Sequence, residues 1–288
     1  MKNESRGEAP WWRTHFDDTW FALHEPMFTA ALSRREVAGI IELLGLPVGA
    51  AILDVPCGWG RHTDLLREAG YAAFGADLSP DLLRRAARRR RGRSASFPYA
   101  AADLRWLPFR DSVFDAAINV FTSLGLFASD REDVRALREV GRVLRPDGRL
   151  LLETMHRDEV VAAYAEEDSW RLPDGTSVTA RRRFDPVTGI SHETWRWKKG
   201  RESGERSHSL KLRTATEVVR LLGRAGFREF RCHGDWDGGP FDRRSASLIL
   251  VAHAPRRRLP DDAVGPNLPD GRQQPSRPPV RHGKTGGS

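Results

Sequence analysis

The ten residues Asp54-Val-Pro-Cys-Gly-Trp-Gly-Arg-His-Thr63 constrain this chain more than any other stretch. A short apolar run, Ala51-Ile52-Leu53, leads into them, and helical spacing from Thr63 to Ala69 follows. The pattern is a strand closed by an acid, a turn carrying Gly58 and Gly60, and a helix start. Glycine allows positive φ and lets a ligand approach with no Cβ in the way. In an open α/β sheet, the turn beyond a strand's carboxyl end is where nucleotide-like ligands dock.

The same unit repeats. Ala72 to Ala76 reads as a second strand closed by Asp77, and Ser79-Pro80-Asp81 supplies an N-cap, a first-turn proline and a first-turn acid for the next helix. Short strands follow around Phe97–Ala101, Ser112–Val120 and Arg149–Glu153, with a helix opened by Asp130 between the last two. Strand–helix alternation implies a parallel, doubly wound sheet. Asp54, Asp77, Asp103, Asn119 and Glu153 then fall at successive strand ends, along the edge where such sheets bind ligands. Phe227–Cys232 and Ser245–His253 read as strands six and seven, the last antiparallel. Between 165 and 212 the period changes to two. Val178–Phe184, Ile190–Trp197 and Ser207–Leu212 read as an inserted antiparallel sheet, with Glu193, Trp195 and Trp197 on one face. Before the first strand, Trp12, Phe16 and Trp20 recur at helical spacing, which predicts one helix acting as an aromatic lid. The organisation expected is a lid at 1–45, a binding domain at 46–164 and 213–254, the inserted sheet at 165–212, and a disordered basic tail at 255–288.

Charge and cysteine use narrow the function classes. The net charge is +8, but seven Lys/Arg against three Asp from Pro255 onward place half of that excess in the tail. The run Arg84–Arg93 is the strongest basic patch, read first as a solvated helix face and second as an RNA footprint. Cys57 and Cys232 form neither a disulfide framework nor a metal pattern, and no metal is expected. There is no apolar run of about 18 residues to span a membrane, and Met1 to Pro10 lacks a signal-like apolar core. A cytoplasmic location is the expectation.

The turn itself argues against a dinucleotide. Gly58 and Gly60 are followed by Arg61-His62-Thr63 with no third glycine, and Asp54 would repel a pyrophosphate. A carboxylate there suits an ammonium group. Asp77 stands 19 residues after Gly58, the spacing of an acid that accepts from both ribose hydroxyls. Ribose and ammonium without phosphate describe S-adenosylmethionine. On this reading the amides near Gly58 and Gly60 face its methionine part, Asp103 and Leu104 face adenine, and Arg34, Arg35 or Arg61 pairs with its carboxylate. Trp12, Phe16 and Trp20 offer ring faces to the sulfonium.

The chain resembles the class I S-adenosylmethionine-dependent methyltransferases. The resemblance rests on Leu53–Gly60, Gly75-Ala76-Asp77-Leu78-Ser79, Ala102-Asp103-Leu104, Phe114-Asp115-Ala116 and Leu137–Gly148, and it spans Leu46–Glu153 with a looser stretch at Thr214–His253. It implies a Rossmann-like seven-stranded sheet with the last strand antiparallel. It also implies cofactor contacts from Asp54, Cys57, Gly58, Gly60, Asp77, Leu78, Asp103, Leu104, Asn119 and Phe121. Pro56 and Asp147 depart from it, each standing where glycine is usual. The inserted sheet and aromatic N-terminus resemble members acting on small molecules, including sugars and antibiotics.

The expected reaction is methyl transfer to an oxygen or nitrogen of a small molecule. A base is needed only for a hydroxyl or an acidic carbon, and His156, Glu153 and Glu193 are the candidates. Cys57 reads as a small buried residue rather than a nucleophile. The alternatives are an RNA methyltransferase using Arg84–Arg93, a non-catalytic S-adenosylmethionine-binding protein and an NAD(P) oxidoreductase, the last disfavoured by the missing glycine.

Overall fold

The computed structural model describes residues 10–90, 98–127 and 129–256. It begins with two short helices, α1 (Trp12–His15) and α2 (Asp18–His24), a 3-10 turn (Glu25–Met27) and α3 (Ala30–Leu44). Alternation follows through β1 (Ala51–Asp54), α4 (Arg61–Glu68), β2 (Ala72–Asp77), α5 (Pro80–Arg89), β3 (Tyr99–Ala101), β4 (Phe114–Asn119), α6 (Asp130–Val143) and β5 (Leu144–Met155). After α7 (Arg157–Ala162) come β6 (Glu167–Arg171), β7 (Ser177–Asp185), β8 (Ile190–Lys199) and β9 (Glu202–Lys211). The last elements are α8 (Ala215–Arg224), β10 (Arg228–His233) and β11 (Ser247–His253).

The main sheet has seven strands in the order β10-β11-β5-β4-β1-β2-β3. β1 to β5 run parallel, and β11 lies antiparallel between β5 and β10. The central strands are covered on both faces, which is why they read as continuous apolar runs. Their residues divide by period two: Leu150, Leu152, Leu248 and Leu250 pack with α6 and α8, while Leu151, Ile249, Ala116 and Ile118 pack with α3 and α4. Each of these fully buried Leu and Ile side chains contributes roughly 1.5–3 kcal/mol.

Local chemistry sets the helix ends. Thr29, Ser79 and Ser129 cap α3, α5 and α6 through their side chains, and Thr214 with Glu217 forms a reciprocal capping box on α8. Gly45 ends α3 in the left-handed region. Asp147, where glycine is usual, also takes positive φ, 64°. The Val55–Pro56 peptide is cis.

Two expectations need correction. Trp12, Phe16 and Trp20 do not share one helix. Phe16 leaves helical geometry, and Asp17 turns extended to accept the Thr19 and Trp20 amides, both at 2.9 Å, so a new helix starts there. The inserted sheet has four strands rather than three, in the order β6-β7-β8-β9, because Glu167–Arg171 pairs with Ser177–Arg181. That strand has one half-buried residue, Trp170, among exposed neighbours, so no alternation marks it. The tail expected to be disordered lies outside the described residues beyond Arg256.

Candidate active site

A cavity of about 530 Å³ lies between the carboxyl ends of β1, β2, β4 and β5 and one face of the four-stranded sheet. α1, α2 and the link between them contribute Trp12, Trp20 and Phe16 to its wall, and Trp59, Phe28 and Phe121 continue the aromatic lining. Among these rings, Trp20 stands 5.2 Å from Phe16 and 6.0 Å from Trp59.

At the strand ends, backbone amides hold the acids. Asp77 accepts from the Gly58 amide at 2.7 Å and the Ser79 amide at 2.8 Å, and it faces the cavity. Burial pushes its carboxyl up to about 6 against those two bonds. Gly58 has φ of 55°, and a Cβ built on it would meet nothing within 4 Å, so the turn leaves an open cradle. Gly60 has a different role: a Cβ there would come within 2.1 Å of the Tyr99 hydroxyl, so glycine is required for packing. The amides of Gly58 and Gly60 do not face the cavity as expected. They donate to Asp77 and to the Cys57 carbonyl.

Several expected residues stand behind the wall rather than on it. Asp54 is buried and accepts from the Thr63 amide at 3.1 Å and the Thr63 hydroxyl at 2.6 Å, which fixes the start of α4. Asn119 donates to the Val55 carbonyl at 2.8 Å and accepts from Ser123 at 2.6 Å, tying β4 to the glycine turn. His156 is buried against Phe241, with Nδ1 3.4 Å from the Ser245 carbonyl, and does not line the cavity. Leu78, Leu104, Cys57 and Glu153 do line it. Burial raises the Cys57 thiol well above its usual range, as suits a packed side chain. Glu153 accepts from the Phe121 amide at 2.7 Å, and burial raises its carboxyl. Asp103 faces the cavity and is clamped by Arg105 through two guanidinium nitrogens, at 3.0 and 2.8 Å.

Of the three arginines considered for a carboxylate, only Arg61 reaches the wall. Its Nη1 pairs with Glu36, which also holds His62 Nε2 at 2.9 Å. Burial works against the Glu36 carboxylate, yet the bonds from His62 and Arg61 leave it below its usual range. The other terminal nitrogen of Arg61, Nη2, is buried with no hydrogen-bond partner. Arg35 instead pairs with Asp237 at 2.6 Å on the surface.

The opposite end is built by the four-stranded sheet. Glu193 on β8 stands in register with Arg182 on β7 and His208 on β9. Its oxygens lie 2.6 Å from Arg182 Nε and 3.2 Å from His208 Nε2. Burial opposes charge on Glu193, but His208 and Arg182 outweigh it and hold the carboxyl below its usual range. His24 is stacked between Trp20 at 4.4 Å and Trp195 at 4.5 Å. Burial lowers His24 to about 4 and His15 to about 3, so both rings are neutral near pH 7. His15, His208 and Arg182 escaped sequence reasoning. Period two places Glu193 on the face with Trp195, but nothing local announces its cross-strand partners.

The basic patch is largely spoken for. Arg84 pairs with Asp81, Arg85 with Asp18 at 2.7 Å, and Arg90 with Asp64 at 3.0 Å. Positions 91–93 lie outside the described residues.

Residues 52–148 match the family model of a methyltransferase domain. Two relatives extend the comparison. A Bacillus subtilis (strain 168) protein named as a methyltransferase, YqeM, is 24% identical over 212 residues, covering 72% of this chain and 85% of its own. The malonyl-[acyl-carrier protein] O-methyltransferase of Salmonella typhimurium is 29% identical over 170 residues, covering 59% of this chain but only 62% of that enzyme. Among solved structures, the S-adenosylmethionine-bound amino pentose methyltransferase CalS10 of Micromonospora echinaspora superposes with a TM-score of 0.63. The match is 22% identical and covers 82% of this chain and 97% of that one.

Residues 52–148 carry a methyltransferase domain, and the chain has the Rossmann-like fold of S-adenosylmethionine-dependent methyltransferases. Its cofactor is S-adenosylmethionine. The cavity fits that group, with an open glycine cradle, a carboxylate beside it and an unpartnered guanidinium nitrogen within the wall. Among the described residues no helix is long and apolar enough to cross a membrane.

Proposed function

We propose that this chain methylates an oxygen or nitrogen of a small molecule held between the strand ends and the four-stranded sheet. The observation that carries the reading is the cavity itself, which runs from Asp77 and the glycine turn to Glu193 and His208. The CalS10 comparison, an amino pentose methyltransferase, favours a small acceptor, and the Salmonella O-methyltransferase leaves oxygen open beside nitrogen.

On this reading Asp77 accepts from the ribose hydroxyls, and Asp103 and Leu104 flank the adenine. Arg61 Nη2 takes the methionine carboxylate, and Asp54 acts indirectly by fixing the start of α4. The bound cofactor supplies an electrophilic methyl group on a sulfonium. Positive charge disperses during transfer, so positioning and an apolar wall supply most of the catalysis. Trp12, Phe16 and Trp20 present ring faces suited to that cation. The pairing of Arg84, Arg85 and Arg90 with acids gives an RNA footprint no particular support. The two cysteines are free, as suits a reducing cytoplasm.

Calorimetric titration with S-adenosylmethionine, followed by transfer of its labelled methyl group to a panel of small acceptors, tests the reading. Saturable binding with labelled small product is expected. Binding without any product would favour a non-catalytic role, and label found only in RNA would overturn the small-molecule reading.

A further inference from the structure

We propose that His208, oriented by Glu193, takes the proton of the acceptor, and that the acceptor is therefore a hydroxyl compound, an alcohol or phenol, rather than an amine. This rests on the methyl-transfer reading above and adds the identity of the nucleophile.

β7, β8 and β9 place Arg182, Glu193 and His208 side by side across three strands. Glu193 and His208 both line the cavity. His208 directs Nε2 at the Glu193 carboxylate, 3.2 Å away. A carboxylate can only accept, so in the neutral ring that contact favours the proton on Nε2. Nδ1 is left with a bare lone pair and makes no hydrogen bond within the described residues. Arg182 holds Glu193 from the other side at 2.6 Å, so the carboxylate is fixed in charge and position. Beside the pair, His15 lies 5.1 Å from His208 between ring centroids, and His24 is locked in its tryptophan stack. Neither resembles a metal ligand: among the described residues no three His, Cys, Asp or Glu side chains are placed to hold an ion.

This arrangement suits one acceptor chemistry. A neutral amine attacks through its own lone pair and can shed a proton afterwards. A hydroxyl is a weak nucleophile until its proton is leaving, so it needs a base in the transition state. The step balances as follows. The acceptor oxygen bonds to the methyl carbon while the carbon–sulfur bond breaks and leaves its pair on sulfur. The hydroxyl proton passes to His208 Nδ1. The positive charge lost from sulfur reappears on imidazolium, next to the Glu193 carboxylate. His208 is the proton acceptor, and Glu193 is a positioning residue.

The test uses the full chain with S-adenosylmethionine and matched acceptors differing only in –OH against –NH2: a phenol and its aniline, a hexose and its amino sugar. Wild type should methylate the hydroxyl member. His208→Asn and, as a second variant against misfolding, His208→Gln should each lose about 10²–10⁴-fold in kcat. Cofactor affinity in both should stay within about twofold of wild type. Glu193→Gln should lower kcat without raising the cofactor KM, and should move the acid limb of the kcat pH profile. The groups facing His208 there are Glu193 and Arg182 from the sheet, Arg206 with its partner Asp17, and the neutral rings of His15 and His24. Transfer by both His208 variants within about threefold of wild type would overturn the proposal. So would methylation confined to the amine members. If wild type fails to bind the cofactor at all, the methyl-transfer reading itself fails; binding with amine-only transfer sinks this inference alone.

Discussion

The two ends of the cavity are held by different kinds of bond. At the strand ends, two cavity-lining acids are held by main chain: Asp77 by the amides of Gly58 and Ser79, Glu153 by the amide of Phe121. At the four-stranded sheet, acids are satisfied by side chains: Glu193 by Arg182 and His208. A backbone amide neither titrates nor moves far, so the first end is a fixed receptor. A side-chain pair can change protonation and can be exchanged without rebuilding a turn. On the proposed reading, this difference suits S-adenosylmethionine, the constant partner, at the first end and the acceptor chemistry at the second. Asp103, clamped by the Arg105 side chain, is one exception at the first end; the Glu36–Arg61–His62 cluster is another, because there a buried side-chain network supports the wall.

That cluster should give the largest effect. Glu36→Ala leaves Arg61 and His62 buried without their carboxylate and should cost roughly 3–5 kcal/mol of stability by urea denaturation. A loss below ~1 kcal/mol would show that water reaches the cluster and that the wall is looser than described.

Next in size is Asp77→Ala, expected to weaken S-adenosylmethionine binding by roughly 1.5–3 kcal/mol. Calorimetry on the folded variant checks it, and unchanged affinity would remove the ribose assignment. The same group predicts a pH effect. Its carboxyl is raised to about 6 from an ordinary 3.8, so ionised Asp77 is a burden on the folded state above pH 6 that disappears as the pH falls below about 4. In the proposed ribose contact Asp77 accepts in its ionised form. Cofactor affinity should therefore fall as pH drops through about 6, and Asp77→Asn should flatten that dependence. A wild-type affinity constant from pH 7 to 5 would contradict it.

The smallest effect is a control within one sheet. Arg196 and Glu205 are also a registered cross-strand pair on β8 and β9, but their side chains are 59% and 51% exposed. Glu205→Ala should change stability by no more than ~0.5 kcal/mol and leave methyl transfer intact. A larger cost would mean that burial does not separate the inner pair from the outer one.

How much of this was legible in the sequence follows the same division. The first end depends on local chemistry: an acid at a strand end, glycines able to take positive φ, and Ser79-Pro80 opening a helix. These signals lie within a few residues of one another, and they locate Asp77, Leu78, Asp103 and Leu104 on the cavity. Locality also has limits. It cannot tell an acid facing a ligand from one facing a helix start, so Asp54, Asn119 and Gly60 read as cofactor contacts although their bonds go to Thr63, Val55 and the turn itself. His156 read as a candidate base, yet it sits at the start of α7 and packs against Phe241. The second end depends on register. Glu193 meets His208 only because two strands and their connection set that pairing, and no spacing in the sequence encodes it. The break at Phe16 was hidden because Trp12, Phe16 and Trp20 kept helical spacing while Asp17 ended one helix and began another.

The most direct test measures S-adenosylmethionine affinity in wild type, Asp77→Ala and His208→Asn side by side by calorimetry. The division of labour predicts a loss of about 10–150-fold for Asp77→Ala and wild-type affinity for His208→Asn. Equal losses in the two variants, or no saturable binding by wild type, would contradict it.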